Sequence, residues 1–302
     1  MNRKEGTDVN RSRKRRRLAL SALWLAAGLL ALFLVGAGAY AGMFDHRIET
    51  PSAQGARLRE LRSEAVSFSN GDGVPLQGWL YAAEGTEPSR LVVLAHGMGV
   101  GHRAYGDVIA AFARRGYLVF AYDATGYDDS GGSSPGGVPQ AVLDLDAALK
   151  AAESRPEAAG LPVCLFGHSL GAYAVCAVLP EHPEVRAAAA LAGFDSVASW
   201  VRARYGLPGT LLIPGAALWE RLRFGGAAGR TASEGLASSE ARVLIVHSGD
   251  DETVPISCGL ERWAARFGGD PRFRFLRLER GGHDGIFSGA VPSACFELFD
   301  RA

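Results

Sequence analysis

Ser169 stands between two glycines in the sequence Gly-His-Ser-Leu-Gly at residues 167–171. An apolar run, 161–166, precedes this sequence, and small and apolar residues, 170–179, follow the serine. This pattern predicts a turn between a buried strand and a helix. A G-x-S-x-G turn in that setting strains the backbone, lifts the hydroxyl above the sheet and places it at a helix N-terminus, where negative charge is favoured. We therefore predict that Ser169 is a nucleophile that forms a covalent acyl intermediate.

Such a serine needs a histidine base and a carboxylate that orients the base, in the chain order serine, acid, histidine. His283 lies in the glycine-rich segment 280–285, after the last predicted strand, and is the predicted base. Asp251 follows another predicted strand and is the predicted acid. Its neighbour Asp250 remains the alternative.

Negative charge that develops on the substrate oxygen needs two backbone N–H donors. One is predicted to be the amide of Leu170, directly after the nucleophile, and the other the amide of Met98. Met98 lies in the loop 96–105, whose glycines allow the backbone to bend towards the serine. His96 and His102, in the same loop, are expected to have structural roles.

Strand-like and helix-like segments alternate along residues 61–302. This alternation predicts an α/β domain whose mostly parallel sheet of about eight strands is flanked by helices. Residues 193–241 interrupt the alternation and fit two short helices joined by glycine and proline turns. We expect them to form a small helical lid whose apolar side chains face the substrate.

The N-terminal region has the pattern of a membrane anchor. Residues 1–17 carry eight basic and two acidic side chains, and residues 18–44 carry no charge. As a helix the uncharged run is about 40 Å long, enough to span a hydrocarbon core of about 30 Å. We predict a basic cytoplasmic tail, a single transmembrane signal-anchor, a polar tether at 45–60 and a catalytic domain outside the cytoplasm. The alternative is secretion after cleavage of a signal peptide near Ala39-Tyr40-Ala41.

Four motifs in a fixed order give the chain a family resemblance. They are His-Gly-Met-Gly at 96–99, Gly-His-Ser-Leu-Gly at 167–171, Asp-Glu-Thr-Val-Pro at 251–255 and Gly-Gly-His at 281–283. With them, residues 63–302 resemble the α/β-hydrolase superfamily, and more narrowly its monoacylglycerol-lipase/serine-aminopeptidase-like and BEM46-like serine hydrolases. The resemblance implies the α/β-hydrolase fold and a triad of Ser169, Asp251 and His283.

One position departs from that family's pattern. Members usually carry D-x-x-G-x-G-x-S after the fourth strand, and this chain has Asp128 in place of the second glycine of that pattern. The departure leaves the shape of that loop open but does not involve the triad.

The resemblance favours hydrolysis of a carboxylic ester, with a lipid or other acyl ester as substrate. An aminopeptidase-like amidase and an acyltransferase remain alternatives, because one triad serves all three reactions. A non-catalytic binding module of this fold remains a further alternative, although such modules usually lack a member of the triad.

Other classes of function find little support in the sequence. The formal net charge is zero and the basic residues gather before the apolar run, so the body of the chain is acidic and nucleic acid is not an expected partner. The four cysteines show no C-x-x-C spacing, and no glycine-rich phosphate-binding or dinucleotide fingerprint is present. We expect no metal and no cofactor; the expected partners are an ester substrate and, through the N-terminal helix, the membrane.

Overall fold

The computed structural model describes residues 3–51 and 55–302, with side chains from residue 14 onward. Residues 1–2 and the side chains of residues 3–13, in the predicted basic tail, lie outside the described residues. Residues 52–54 of the predicted tether lie outside them as well.

Eight strands form one sheet at the centre of the domain. They are β1 (Arg62–Ser69), β2 (Pro75–Ala82), β3 (Leu91–Ala95), β4 (Leu118–Asp123), β5 (Val163–His168), β6 (Val185–Leu191), β7 (Arg242–Ser248) and β8 (Phe273–Leu278). Their order across the sheet is β1-β2-β4-β3-β5-β6-β7-β8. Strand β2 runs antiparallel to β1 and β4, and all other neighbours are parallel. The predicted mostly parallel sheet is confirmed.

Within the described residues, eight α-helices accompany the sheet. They are α1 (Arg3–Gly42), α2 (Gly106–Arg114), α3 (Val138–Glu153), α4 (Leu170–Ala177), α5 (Val197–Phe224), α6 (Ala232–Ala237), α7 (Leu260–Phe267) and α8 (Val291–Asp300). Strands β3, β4 and β5 are buried along their whole length, as parallel strands covered by helices on both faces should be. Alternate side chains therefore enter two cores: Val93 packs into the core that includes α3 and α4, and Val92 into the core that includes α2 and α8.

Parallel strands bring the predicted site residues to one edge of the sheet. Strands β3, β5, β7 and β8 end at this edge, and the loops that follow them carry Met98, Ser169, Asp251 and His283. The carboxyl ends of neighbouring parallel strands lie side by side, so residues far apart in the chain meet there.

The insertion at 193–241 differs from the expected pair of short helices. Its main element, α5, is interrupted at Gly206, whose φ of 60° and ψ of −144° are not helical. Pro208 follows in the first turn of the new helical stretch, where a missing N–H leaves no helical hydrogen bond unmade. The stretch from 207 to 224 continues through Pro214, so the break at Gly206 alone divides α5 into two helical parts.

Helix α1 packs against α5 by close approach of backbones. A Cβ added to Gly36 would lie 2.3 Å from the carbonyl oxygen of Leu212, and one added to Gly215 would lie 2.1 Å from the carbonyl oxygen of Phe33. Only glycine allows this separation at both positions, a packing mode typical of helices in membranes. Tyr40 of α1 donates a hydrogen bond to Glu220 of α5 and accepts one of 2.9 Å from the amide of Val138.

The chain that follows α1 lies against the catalytic domain. Ile48 exchanges backbone hydrogen bonds with Gly126 and Asp128, at 2.9 and 3.0 Å. The amide of Thr50 donates to Asp128 Oδ1 at 2.6 Å, while Thr50 Oγ1 accepts from the amide of Gly101 at 2.5 Å. Asp128, at the position where the family has glycine, adopts a left-handed φ of 32°. The segment expected to be a tether is thus docked onto the domain over residues 48–50.

Candidate active site

Ser169 lies at the sharp turn between β5 and α4. Its φ of 56° and ψ of −117° are unfavourable for a residue with a side chain, as expected for a strained turn that presents its hydroxyl. The turn also requires both flanking glycines. A Cβ on Gly167 would lie 2.3 Å from the carbonyl oxygen of Gly171, and one on Gly171 would lie 2.1 Å from that of Ala95.

His283 connects the serine to an acid. Its Nε2 lies 2.9 Å from Ser169 Oγ, and its Nδ1 lies 2.8 Å from Asp251 Oδ2. Both separations are ordinary hydrogen-bond lengths. The structure therefore brings the three predicted residues together in the relay that general-base activation of a serine requires.

The alternative acid, Asp250, has a different position. Its Oδ1 accepts a hydrogen bond of 2.5 Å from Ser248 Oγ and one of 2.9 Å from the amide of Gly282. It supports the backbone next to His283, whereas Asp251 contacts the imidazole ring.

Asp251 is buried and well supplied with donors. The amides of Thr253 and Val254 donate to its Oδ1 at 2.9 and 2.8 Å, and His247 Nε2 lies 3.4 Å from its Oδ2. Burial by itself would raise the pKa of Asp251, but the bonds from His247, His283 and the Val254 amide outweigh it and hold the pKa below its usual value. Asp251 is ionised at neutral pH and can orient a histidine that gains a proton.

The two predicted oxyanion donors lie beside Ser169. Met98, Leu170 and Ser169 line the same small cavity, and a Cβ on Gly97 would lie 3.2 Å from Ser169 Cβ. The amides that flank Met98 are satisfied by tyrosines, since Gly97 N–H donates to Tyr105 and Gly99 N–H donates to Tyr127. Among the described residues, the amides of Met98 and Leu170 have no protein acceptor, so both can donate to a ligand.

His168 and Tyr105 join the site without having been predicted. Tyr105 accepts from the Gly97 amide at 2.9 Å and donates to His168 Nδ1 at 2.8 Å, and His168 Nε2 donates to the carbonyl oxygen of His283 at 2.9 Å. This chain of bonds connects the Met98 loop to the His283 loop. Burial, reinforced by His283, lowers the pKa of His168 to about 4, which keeps the ring neutral. The only feature of the sequence that could have indicated a role for His168 is its position directly before Ser169.

His96 and His102 lie outside this relay. His96 Nε2 accepts from the Ala124 amide at 3.0 Å, and its Nδ1 donates to the carbonyl oxygen of Gly97 at 2.8 Å. His102 Nδ1 lies 2.7 Å from Asp123 Oδ1. Both histidines hold the loop after β3 in place.

Two side-chain groups have the spacing of metal ligands. The ligand atoms of His168, His283 and Asp284 lie within 4.8 Å of one another, as do those of Glu153, His182 and Glu184. To bind a metal, the first group would have to give up a bond of His168, to Tyr105 or to the His283 carbonyl, and a bond of His283 to Asp251 or Ser169. That the site works without metal or cofactor stays a prediction.

The sheet order, the strained serine turn and the loops that follow β3, β7 and β8 are those of the α/β-hydrolase fold. The family model Hydrolase_4, described as serine aminopeptidase, S33, matches residues 86–212 of the chain.

Solved structures with the same fold include both esterases and peptidases. An esterase from Pyrococcus furiosus is 21% identical with a TM-score of 0.66, and the alignment covers 84% of this chain and 98% of the esterase. An acylaminoacyl peptidase from Pyrococcus horikoshii is 18% identical with a TM-score of 0.62, over 81% of this chain and 42% of the peptidase. A comparison with curated protein sequences finds no match.

Proposed function

We propose that this chain is a membrane-anchored serine hydrolase that cleaves a carboxylic ester. The observation that carries the proposal is the unbroken relay from Ser169 through His283 to Asp251, with bonds of 2.9 and 2.8 Å. A binding module of the same fold would have no need to keep the relay complete or two amides free beside the serine.

The reaction takes place in two stages. His283 Nε2 removes the proton of Ser169 as Oγ attacks the ester carbonyl, and the amides of Met98 and Leu170 donate to the resulting oxyanion. The protonated His283 then gives its proton to the departing alcohol, which leaves an acyl group on Ser169. A water molecule, deprotonated by His283, releases the acid and restores the hydroxyl.

The cavity at Ser169 supports an ester over a free peptide N-terminus. Its lining is mainly apolar, including Met43, Phe44, Phe194 and Trp200, and among the described residues no carboxylate lines it. An aminopeptidase needs an acceptor for the substrate ammonium group, and an unpaired ammonium in such a cavity is costly. The Pyrococcus furiosus neighbour, an esterase, supports the same choice. Because the matching family model is described as a serine aminopeptidase, amide hydrolysis is our second proposal.

The test uses the full chain in detergent. It should hydrolyse p-nitrophenyl esters and react with a fluorophosphonate, and Ser169→Ala should lower turnover by up to about 10⁶-fold and abolish labelling. Aminoacyl amides serve as the competing substrates. Faster cleavage of the amides would favour the second proposal, and a labelled Ser169→Ala chain would refute the nucleophile.

We further propose that α1 stays attached as the anchor. Residues Lys14–Gly42 form a helix long and apolar enough to cross a membrane, although a signal sequence has the same character. Cleavage near Ala41 would remove Tyr40, the donor to Glu220, whose side chain is only 6% exposed. Cleavage would leave this buried carboxyl group without its donor, which is unfavourable and supports retention of α1. The mass of the mature chain tests this directly: loss of about the first 41 residues would refute anchoring.

Helix α5, which packs against α1, also supports the membrane proposal. Its exposed residues Leu207, Leu211, Leu218 and Leu222 are spaced by four, seven and four positions and share one helical face. An exposed apolar face beside a spanning helix is suited to the membrane interface. We therefore propose that residues 193–241 form a lid that contacts the bilayer, with the catalytic domain outside the cytoplasm as the basic tail predicts.

A further inference from the structure

Two cavities meet at Met43 and Trp200, which line both of them. The smaller, about 50 Å³, lies at Ser169. The larger, about 410 Å³, lies between the C-terminal part of α1 and α5. They are therefore neighbouring apolar cavities, one at the nucleophile and the other against α1.

The lining of the larger cavity has the character of a hydrocarbon site. Within the described part of the chain it contains no charged side chain, and its hydroxyl groups belong to two tyrosines. Tyr40 already bonds to Glu220. Helix α1 contributes one side of the cavity and α5 the other; the residues include Ala39, Tyr40 and Met43 from α1 and Val201, Leu212 and Ile213 from α5.

We propose that the larger cavity binds the acyl chain of the ester, so that the membrane helix is a wall of the substrate site and not only an anchor. The proposal rests on the ester hydrolysis proposed above. With its carbonyl carbon at Ser169, the substrate extends its acyl chain past Met43 and Trp200 to lie between α1 and α5. Exposed Tyr205 and Ala39 at the rim place the entrance beside the bilayer, where such esters partition.

The chemistry of the cavity selects an acyl chain over other occupants. A peptide would bring backbone N–H and C=O groups into a space that offers them almost no partners, at a cost for each unpaired group. A hydrocarbon chain gains from burial instead, and each buried methylene contributes about fourfold to kcat/KM. The wall formed by α1 is complete only while the helix remains attached.

The experiment compares butyrate and dodecanoate esters of p-nitrophenol with the full chain in nanodiscs. Ala39→Phe adds a ring on the α1 side of the cavity, whereas Gly38→Phe adds one where a Cβ would meet nothing within 4 Å. We expect Ala39→Phe to lower the dodecanoate-to-butyrate ratio of kcat/KM by more than about 50-fold, since three displaced methylenes account for that factor. Gly38→Phe should keep the wild-type ratio.

A second pair of variants, on α5, keeps the proposal testable if Ala39→Phe fails to fold. Leu212 lines the cavity, while Leu211 is 51% exposed and does not line it. Leu212→Trp should lower the same ratio, and Leu211→Trp should not. If all four variants show the wild-type ratio while butyrate is hydrolysed, the acyl site is refuted and the hydrolase stands. If the wild-type chain hydrolyses neither ester and is not labelled by a fluorophosphonate, the proposed function itself fails.

Discussion

At the scale of single residues, the proposed mechanism requires the contact between Asp251 and His283 to leave one ring nitrogen free for the serine proton. Asp251 accepts from Nδ1 and so leaves Nε2 facing Ser169. Asp251→Asn can donate to Nδ1 and stabilise the wrong tautomer, so we expect kcat to fall on the order of 10⁴-fold with the fold intact. Steady-state kinetics and near-UV circular dichroism measure the two effects.

Asp250→Asn is the matched control for that change. It removes the same charge one residue away, from a carboxylate that supports Ser248 and the Gly282 amide rather than the imidazole. We expect a far smaller loss of kcat. A larger loss of kcat in Asp250→Asn than in Asp251→Asn would mean that Asp250 is the orienting acid in solution.

His168 is a positioning residue, because it contacts the backbone of His283 and not the reacting atoms. His168→Ala should lower kcat by up to about 100-fold, the usual consequence of a misplacement near 1 Å. His168→Gln can donate to the His283 carbonyl oxygen and accept from Tyr105, so it should recover most of that loss. Equal loss in both variants would show that the ring only fills space.

The buried neutral state of His168 also makes stability depend on pH. Its pKa falls from 6.5 to about 4 on folding, so the contribution is fully present above pH 6.5 and is lost as the pH falls from 6.5 towards 4. A shift of this size corresponds to about 3 kcal/mol. Denaturant unfolding of the wild-type chain and of His168→Gln at several pH values measures it: the wild-type chain should lose more stability over this interval.

At the scale of elements, the contact between α1 and α5 depends on glycine. In Gly215→Ala the new Cβ would lie 2.1 Å from the carbonyl oxygen of Phe33, and a backbone atom cannot move away cheaply. Alanine is a better helix former than glycine by up to about 1 kcal/mol, so a loss of stability would show the clash outweighing that gain. We expect a lower melting temperature for Gly215→Ala in detergent.

Gly38→Ala is the control on the other helix. Its Cβ would meet nothing within 4 Å, so only the gain in helix propensity remains and the melting temperature should not fall. A lower melting temperature in both variants, or in neither, would contradict the close packing of α1 against α5.

At the scale of the whole molecule, the exposed leucines of α5 predict how the chain sits in a bilayer. The four native cysteines are buried, so a nitroxide can be attached selectively to a new surface cysteine. A label at Leu211→Cys should be more accessible to oxygen than to a water-soluble relaxation agent. A label at Thr86→Cys, in an exposed loop, should show the opposite preference. Aqueous accessibility at both positions would place α5 outside the membrane.

The sequence by itself determined the features that local pattern and chain order encode. The strand–turn–helix pattern around Ser169 predicts the elbow, because the turn needs glycines at fixed positions on either side of the serine. The sequence could also indicate the other site residues, because the strands that precede them are parallel and their loops therefore share one edge of the sheet. These residues are Met98, Asp251 and His283. The choice between Asp250 and Asp251 needs the tertiary structure, since it depends on which carboxylate points towards a loop 32 residues away.

Only the tertiary structure decided how the N-terminal helix relates to the catalytic domain. The apolar run 18–44 is uniform around the helix and indicates no face for contact, while its partner α5 lies in a segment expected to be two short helices. Tyr40 and Glu220 are 180 residues apart, and neither has a sequence signal for the other. The bond between them, the paired glycines and the cavity that α1 and α5 enclose arise from close packing of distant surfaces, which no local pattern specifies.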